Sequence, residues 1–204
     1  MSTQKRIIQH LVDSDSRLKT VTQLCPYPRS RKNTDIYMAL LSSITSQQLS
    51  IKAADKIFNR FLDLYPERYP QPEQLIKTRA TRLRAAGLSQ QKAQYLKNVA
   101  RFALKDDGLN YQTLKNKTDD ELVLHLTQIK GVGRWTVEML LMFTLDRKDI
   151  FPLDDLGIQQ AIRKLYKLDE QGKELKQQML IIAEKWKPYR SIVCKYLWHW
   201  KSLP

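Results

Sequence analysis

A long stretch without proline is the sequence feature that most constrains the fold. No proline lies between Pro72 and Pro152, although the chain contains eight. Because proline breaks the interior of a helix, this stretch can be mostly helical. Apolar residues recur at helical spacing, as in Ile36, Leu40 and Ile44, whereas strand patterns with tight Gly turns are nearly absent. We therefore predict an all-α protein of about ten helices joined by tight turns.

Local signals predict where some of these helices begin and end. Thr118 followed by Glu121 forms a capping box, which marks a helix start. Gly87 is typical of a helix C-terminus, and Ser89 is typical of the next N-cap.

The composition narrows the class of protein. Lys and Arg number 35 against 21 Asp and Glu, so the formal net charge is +14 and a polyanion, most commonly nucleic acid, is the favoured partner. The cysteines Cys25 and Cys194 are too few for a disulfide framework or for a four-cysteine zinc or iron–sulfur site. No apolar run approaches the ~20 residues of a membrane span, and the start does not resemble a signal peptide. We expect an intracellular protein that does not enter a membrane, cytoplasmic and nucleoid-associated if it is bacterial.

Two of the six glycines lie within three residues, between two predicted helices. Gly131, Val132 and Gly133 allow a sharp turn that a ligand can approach closely, with Val132 inserted between the helices. The second helix begins near Arg134, so its free N–H groups attract phosphate, and Lys130 and Arg134 add charge. This pattern predicts a helix–hairpin–helix, which binds the DNA backbone regardless of sequence. The alternative is an ordinary turn between helices.

A second segment follows the hairpin by one helix and a loop, and ends in Asp154 and Asp155. Hairpin, helix, proline-containing loop and aspartate together resemble the helix–hairpin–helix (HhH-GPD) DNA glycosylase superfamily, and in particular its 3-methyladenine DNA glycosylase II branch. The stretches 46–54, 87–96 and 186–198 support the resemblance, which covers about residues 35–200.

The resemblance implies one HhH-GPD domain over residues 1–204, built from two helical lobes with the active-site cleft between them. Lobe A would cover about residues 35–147, and lobe B about 1–34 plus 148–204. It also implies a DNA glycosylase of base excision repair that acts on double-stranded DNA with a damaged base, and we expect a monomer.

The family's catalytic aspartate maps onto Asp155. The positive end of a helix dipole stabilises a carboxylate, which can in turn stabilise the positive sugar formed as an N-glycosidic bond breaks, and can orient or deprotonate the attacking water. We expect Asp154 to cap the helix that begins near Leu156. The alternative is that both aspartates are caps and nothing more.

The resemblance also implies a reaction type and a substrate pocket. Family members that cut the DNA strand carry a lysine where this chain has Trp135, and tryptophan cannot form a Schiff base. We therefore expect a monofunctional enzyme that leaves an abasic site. Trp135, Met139 and Trp198 would surround a flipped-out alkylated purine, whose positive charge suits aromatic faces. Core packing is the alternative for each residue, and we expect Met142 and Phe143 to lie in the core.

Further positions carry implied roles in DNA and ion binding. Gln48 matches the residue that fills the space left by the flipped base. The backbone carbonyls of Thr127, Ile129 and Val132 match those that bind a structural Na⁺ or K⁺ ion at the family's hairpin, and no other cofactor is implied. Two alternatives stay open: a glycosylase of the same fold for uracil or deaminated bases, and a non-catalytic DNA-binding module.

Overall fold

The computed structural model describes residues 2–28, 34–106 and 108–203. Within these residues it contains thirteen α-helices and no strand, which confirms the all-α prediction. The helices outnumber the predicted ten because several are only one or two turns long. In chain order they are α1 (Thr3–Ser14), α2 (Leu18–Leu24), α3 (Ile36–Ser46), α4 (Ile51–Leu62), α5 (Pro72–Lys77), α6 (Ala80–Ala85), α7 (Gln90–Ala103), α8 (Tyr111–Leu114), α9 (Asp119–Leu126), α10 (Arg134–Phe143), α11 (Leu156–Tyr166), α12 (Gly172–Glu184) and α13 (Arg190–Lys201).

The predicted helix ends are confirmed. Thr118 accepts a hydrogen bond from the Glu121 N–H (3.2 Å), and the Glu121 carboxylate accepts one from the Thr118 N–H (2.6 Å), which is the capping box of α9. Ser89 caps α7 by accepting from the Lys92 N–H (3.1 Å). Gly87 follows α6 with a φ of +104°, a left-handed conformation that glycine adopts without strain.

Contacts divide the chain into two compact units, Met1–Arg31 with Leu141–Pro204, and Lys32–Leu140. The division falls within α10. In the second unit, α7 packs against α3, α5 and α6, and Leu40, Leu75 and Leu96 are fully buried.

The first unit has its own core. Here α13 packs against α11 and α2, and the Trp186 side chain is fully buried. The buried carboxylate of Asp15 accepts hydrogen bonds from the Tyr166 hydroxyl and the Arg17 N–H, so this acidic group is paired inside the core. In the part of the chain that the structure describes, no helix is long and apolar enough to span a lipid bilayer.

Candidate active site

The glycine-containing segment forms a tight turn between α9 and α10. The Val132 N–H donates to the Ile129 carbonyl (2.9 Å), and α10 begins at Arg134, as predicted. The Val132 side chain is buried, and so is that of Ile129. The hairpin therefore packs these two apolar residues inward and leaves Lys130 and Gly133 exposed.

The two hairpin glycines serve different needs. Gly131 has a φ of +108°, and a Cβ there would lie 2.2 Å from the Tyr95 ring, so the fold itself requires glycine. Among the described residues, apart from Gly133 and its two chain neighbours, no atom lies within 4 Å of the position that a Cβ would take on Gly133. The fold does not require glycine at this second position, whereas a ligand that approaches the backbone closely would.

The basic side chains of the hairpin differ in what they contact. Lys130 is exposed, and its carbonyl accepts a hydrogen bond from the Asn98 amide (3.0 Å). The Arg134 guanidinium donates to the Glu138 carboxylate one turn later (3.1 Å), so its charge is partly offset. Lys130 is therefore the stronger candidate for binding a phosphate.

The turn between α3 and α4 carries Gln48. This residue is exposed and has a φ of +57°, a left-handed conformation that is uncommon for residues other than glycine. The preceding Gln47 amide reaches the Gly131 carbonyl (3.4 Å) and the Thr136 hydroxyl (3.5 Å). The second unit thus brings the turn with Gln48 next to the hairpin.

Lys92 holds the same turn from the other side. Its ammonium donates to the carbonyls of Thr45 (2.8 Å) and Gln47 (2.7 Å), and burial lowers the pKa of Lys92 below its usual value. Sequence reasoning did not assign a role to Lys92 or Gln47. No local pattern marks these contacts, because their partners lie 45 to 89 residues away.

Asp155 begins α11. The Asp155 carboxylate is half-buried, and its Oδ1 accepts hydrogen bonds from the Ile158 N–H (2.8 Å) and from the indole N–H of Trp198 (2.9 Å). The prediction that Asp154 caps this helix is wrong. Asp154 is exposed and pairs with Lys176 (2.5 Å), because Asp155 is the residue directly before the first helical turn.

An aromatic pair lies beside Asp155 in the first unit. The half-buried Trp198 ring packs on Phe143 with centroids 5.7 Å apart. The prediction that Phe143 lies in the core is wrong, since it is 48% exposed at the end of α10, whereas Met142 is fully buried as predicted. The structure therefore places two of the predicted site residues, Asp155 and Trp198, in direct contact, and Phe143 packs against Trp198.

Trp135 and Met139 lie four residues apart on α10 and so share a face. Trp135 is 39% exposed and Met139 is half-buried, so neither is a fully enclosed core residue. Their role in a base pocket stays a prediction.

The carbonyls predicted to bind a cation lie at the end of α9 and in the hairpin. Thr127 is the C-cap of α9, where the last helical carbonyls lack helical N–H partners. The Ile129 carbonyl accepts the Val132 N–H and keeps a second lone pair. Oxygen donors of this kind fit Na⁺ or K⁺, and the ion stays a prediction. Among the described residues, no group of three His, Cys, Asp or Glu side chains could hold a metal ion.

Comparisons with known proteins identify the family to which the chain belongs. The family model of the HhH-GPD superfamily base excision DNA repair proteins matches residues 41–188. The chain is 37% identical over 176 residues to DNA-3-methyladenine glycosylase 1 of Schizosaccharomyces pombe, covering 86% of this chain and 76% of that protein.

Two solved structures are also similar. The 3-methyladenine DNA glycosylase of S. pombe in complex with abasic DNA has a TM-score of 0.88 and 34% identity, and 97% of each chain is covered. The DNA-3-methyladenine glycosidase of Bacillus halodurans has a TM-score of 0.81 and 33% identity, covering 99% of this chain and 92% of that one.

Proposed function

Because the chain belongs to the HhH-GPD superfamily of base excision DNA repair proteins, we propose that it is a DNA glycosylase that hydrolyses the N-glycosidic bond of alkylated purines. The observation that carries the proposal is the half-buried Asp155 carboxylate, held at the start of α11 by two hydrogen bonds to one of its oxygens. The similarity to 3-methyladenine DNA glycosylases supports the substrate class.

DNA is bound first, through its backbone. The exposed Lys130 and the amide groups at the start of α10 are the groups that attract phosphate. Extruding a base costs a few kcal/mol, and the exposed Gln48 would fill the space left behind and hydrogen-bond the orphaned base.

Hydrolysis then depends on Asp155. As the bond to the base breaks, positive charge develops on the deoxyribose, and the carboxylate stabilises it while orienting or deprotonating the attacking water. A purine alkylated at a ring nitrogen is cationic and leaves readily, so little general-acid help is needed. The products are a free base and an abasic site.

Trp135 supports both the substrate class and the absence of strand cleavage. Its exposed ring can attract a cationic purine by roughly 0.5–2 kcal/mol, and Met139 lies on the same face of α10. It carries no amine, so it cannot attack the sugar and form a Schiff base. We infer a monofunctional enzyme that acts as a monomer on double-stranded DNA inside the cell.

Asp155→Asn tests the proposal. Asparagine also caps helices well, so α11 is retained while the charge is lost. We expect release of 3-methyladenine from methylated duplex DNA, measured by chromatography, to fall by about 10²–10⁴-fold. The dissociation constant for the same duplex should change little.

Three results would contradict the proposal in different ways. Normal excision by Asp155→Asn would show that the mechanism is wrong. A wild-type protein that releases no base from any damaged duplex would be a binding module. Release from uracil or hypoxanthine duplexes alone would assign a glycosylase of the same fold with another substrate.

A further inference from the structure

The Asp155 carboxylate is oriented from two directions. One hydrogen bond to Oδ1 comes from the Ile158 N–H of its own helix (2.8 Å). The other comes from the indole N–H of Trp198 on α13, 43 residues further along the chain (2.9 Å). The first bond is the N-cap of α11. It is local, so it needs only an aspartate directly before the first helical residue. The second belongs to the tertiary structure and needs space for the indole to approach.

Gly157 provides that space. A Cβ built on Gly157 would lie 3.0 Å from Asp155 Oδ1, 3.0 Å from Trp198 Nε1 and 3.1 Å from Trp198 Cδ1. Such distances are shorter than ordinary van der Waals contact, so a methyl group there would move the carboxylate, the indole or both by a few tenths of an ångström.

The backbone does not require glycine at this position. Gly157 is the second residue of α11, and its φ is not among the left-handed values of the chain. Within a helix, alanine is more stable than glycine by up to about 1 kcal/mol. The reason for glycine is therefore the space it leaves beside Asp155 and Trp198.

We propose that Gly157 is a positioning residue for the reaction, because the missing Cβ lets the Trp198 indole N–H reach Asp155 and fix the orientation of its carboxylate. This inference rests on the proposed function, in which Asp155 is the catalytic group. Hydrogen bonds to charged acceptors are the stronger ones, and small displacements of a reacting group are costly in rate. Gly157 itself touches neither water nor sugar in this account.

A double-mutant cycle tests the proposal, using Gly157→Ala, Trp198→Phe and the double variant. The measurement is the single-turnover rate of 3-methyladenine release at saturating duplex DNA, with the dissociation constant for that duplex determined in parallel. We expect Gly157→Ala to lower the rate by about tenfold or more. Its effect on DNA affinity should be smaller than its effect on the rate.

The double variant gives the sharpest expectation. Phenylalanine has no indole N–H, and its ring lacks the pyrrole edge that the new methyl group would meet. Adding Gly157→Ala to Trp198→Phe should therefore slow release by less than about twofold, because the interaction it disturbs is already gone. The control is Gln160→Ala, an exposed position on the same helix, which should match the wild type.

A second measurement does not depend on activity. The chain has four tryptophans, and Trp198→Phe identifies the indole N–H signal of Trp198 in a ¹H–¹⁵N NMR spectrum. In Gly157→Ala, we expect this signal to shift and its hydrogen exchange to quicken. Urea unfolding of the same variant should show a free energy of unfolding at least equal to that of the wild type.

Two results would overturn the inference. One is a Gly157→Ala protein with the wild-type rate and an unchanged Trp198 signal. The other is a tenfold cost of Gly157→Ala that persists in the Trp198→Phe background, since the methyl group would then act on Asp155 directly. A wild-type protein that releases no base would instead overturn the proposed function.

Discussion

At the residue scale, Asp155 combines helix capping with the proposed catalytic role, two roles that the sequence presents as alternatives. Its carboxylate caps α11, and capping alone would be served equally well by Ser, Thr or Asn. Stabilising a positive sugar needs a full negative charge, which none of these residues provides. A carboxylate at a helix start can do both, so finding that Asp155 is a cap does not count against its catalytic role.

The hairpin glycines offer a matched pair of substitutions. Gly131→Ala places a methyl group 2.2 Å from the Tyr95 ring and keeps a left-handed φ, so we expect the free energy of unfolding to fall by about 1–3 kcal/mol. Gly133→Ala meets no atom within 4 Å and should change stability by less than about 0.5 kcal/mol. It should weaken DNA binding, because the methyl group lies where the DNA backbone would approach.

Urea unfolding and DNA titration measure the two effects. Equal losses of stability in both variants would contradict the assignment of Gly131 to folding. Unchanged DNA affinity in Gly133→Ala would contradict the assignment of Gly133 to DNA binding.

At the scale of elements, one half-buried lysine connects two helices. Lys92 of α7 donates to the carbonyls of Thr45 and Gln47, at the end of α3 where helical N–H partners run out. The positive charge also suits the negative end of the helix dipole. Lys92 thereby fixes the turn that carries Gln48.

Lys92→Met tests this contact. Methionine keeps the apolar stem but removes the donors, so the two carbonyls lose their partner. We expect the free energy of unfolding, measured in urea, to fall by about 1–3 kcal/mol. Lys52→Met, at an exposed position on α4, is the control and should have little effect. Equal stability of the two variants would show that the ammonium contributes nothing to the fold.

Local signals predicted the helical class and several helix ends, whereas the contacts between helices came only from the structure. Capping at Thr118 and Ser89 involves residues three apart, so the sequence contains the whole interaction. The bonds from Trp198 to Asp155 and from Lys92 to Thr45 join residues more than 40 apart. No local pattern encodes such pairs. The start of α11 at Leu156 agrees with the prediction, but the choice between two adjacent aspartates as its cap came only from the structure.

At the scale of the whole molecule, the formal net charge of +14 attracts DNA at long range, but it does not identify the residues that contact the phosphates. The structure adds an exposed lysine, Lys130, at a hairpin in which Gly133 is exposed as well. Binding should therefore combine a general attraction with one localised phosphate contact.

Salt dependence separates these two contributions. We expect the DNA association constant to fall steeply with salt, with Lys130→Ala reducing the log–log slope by about 1. The dissociation constant of Lys130→Ala for DNA should rise by a larger factor than its single-turnover rate of base release falls. Lys173→Ala removes the same charge from an exposed position on α12 and is the control. Equal effects of the two variants would mean that Lys130 acts only through the net charge.

The division of the chain has a consequence for its synthesis. The unit Lys32–Leu140 is one unbroken stretch, whereas the other unit joins Met1–Arg31 to Leu141–Pro204. On a ribosome, α1 and α2 emerge first, but α13, on which α2 packs, is made last. At ~5–20 residues per second, the apolar faces of α1 and α2 therefore stay without the contact to α13 for roughly ten to thirty seconds, whereas the residues of the unbroken unit are complete earlier.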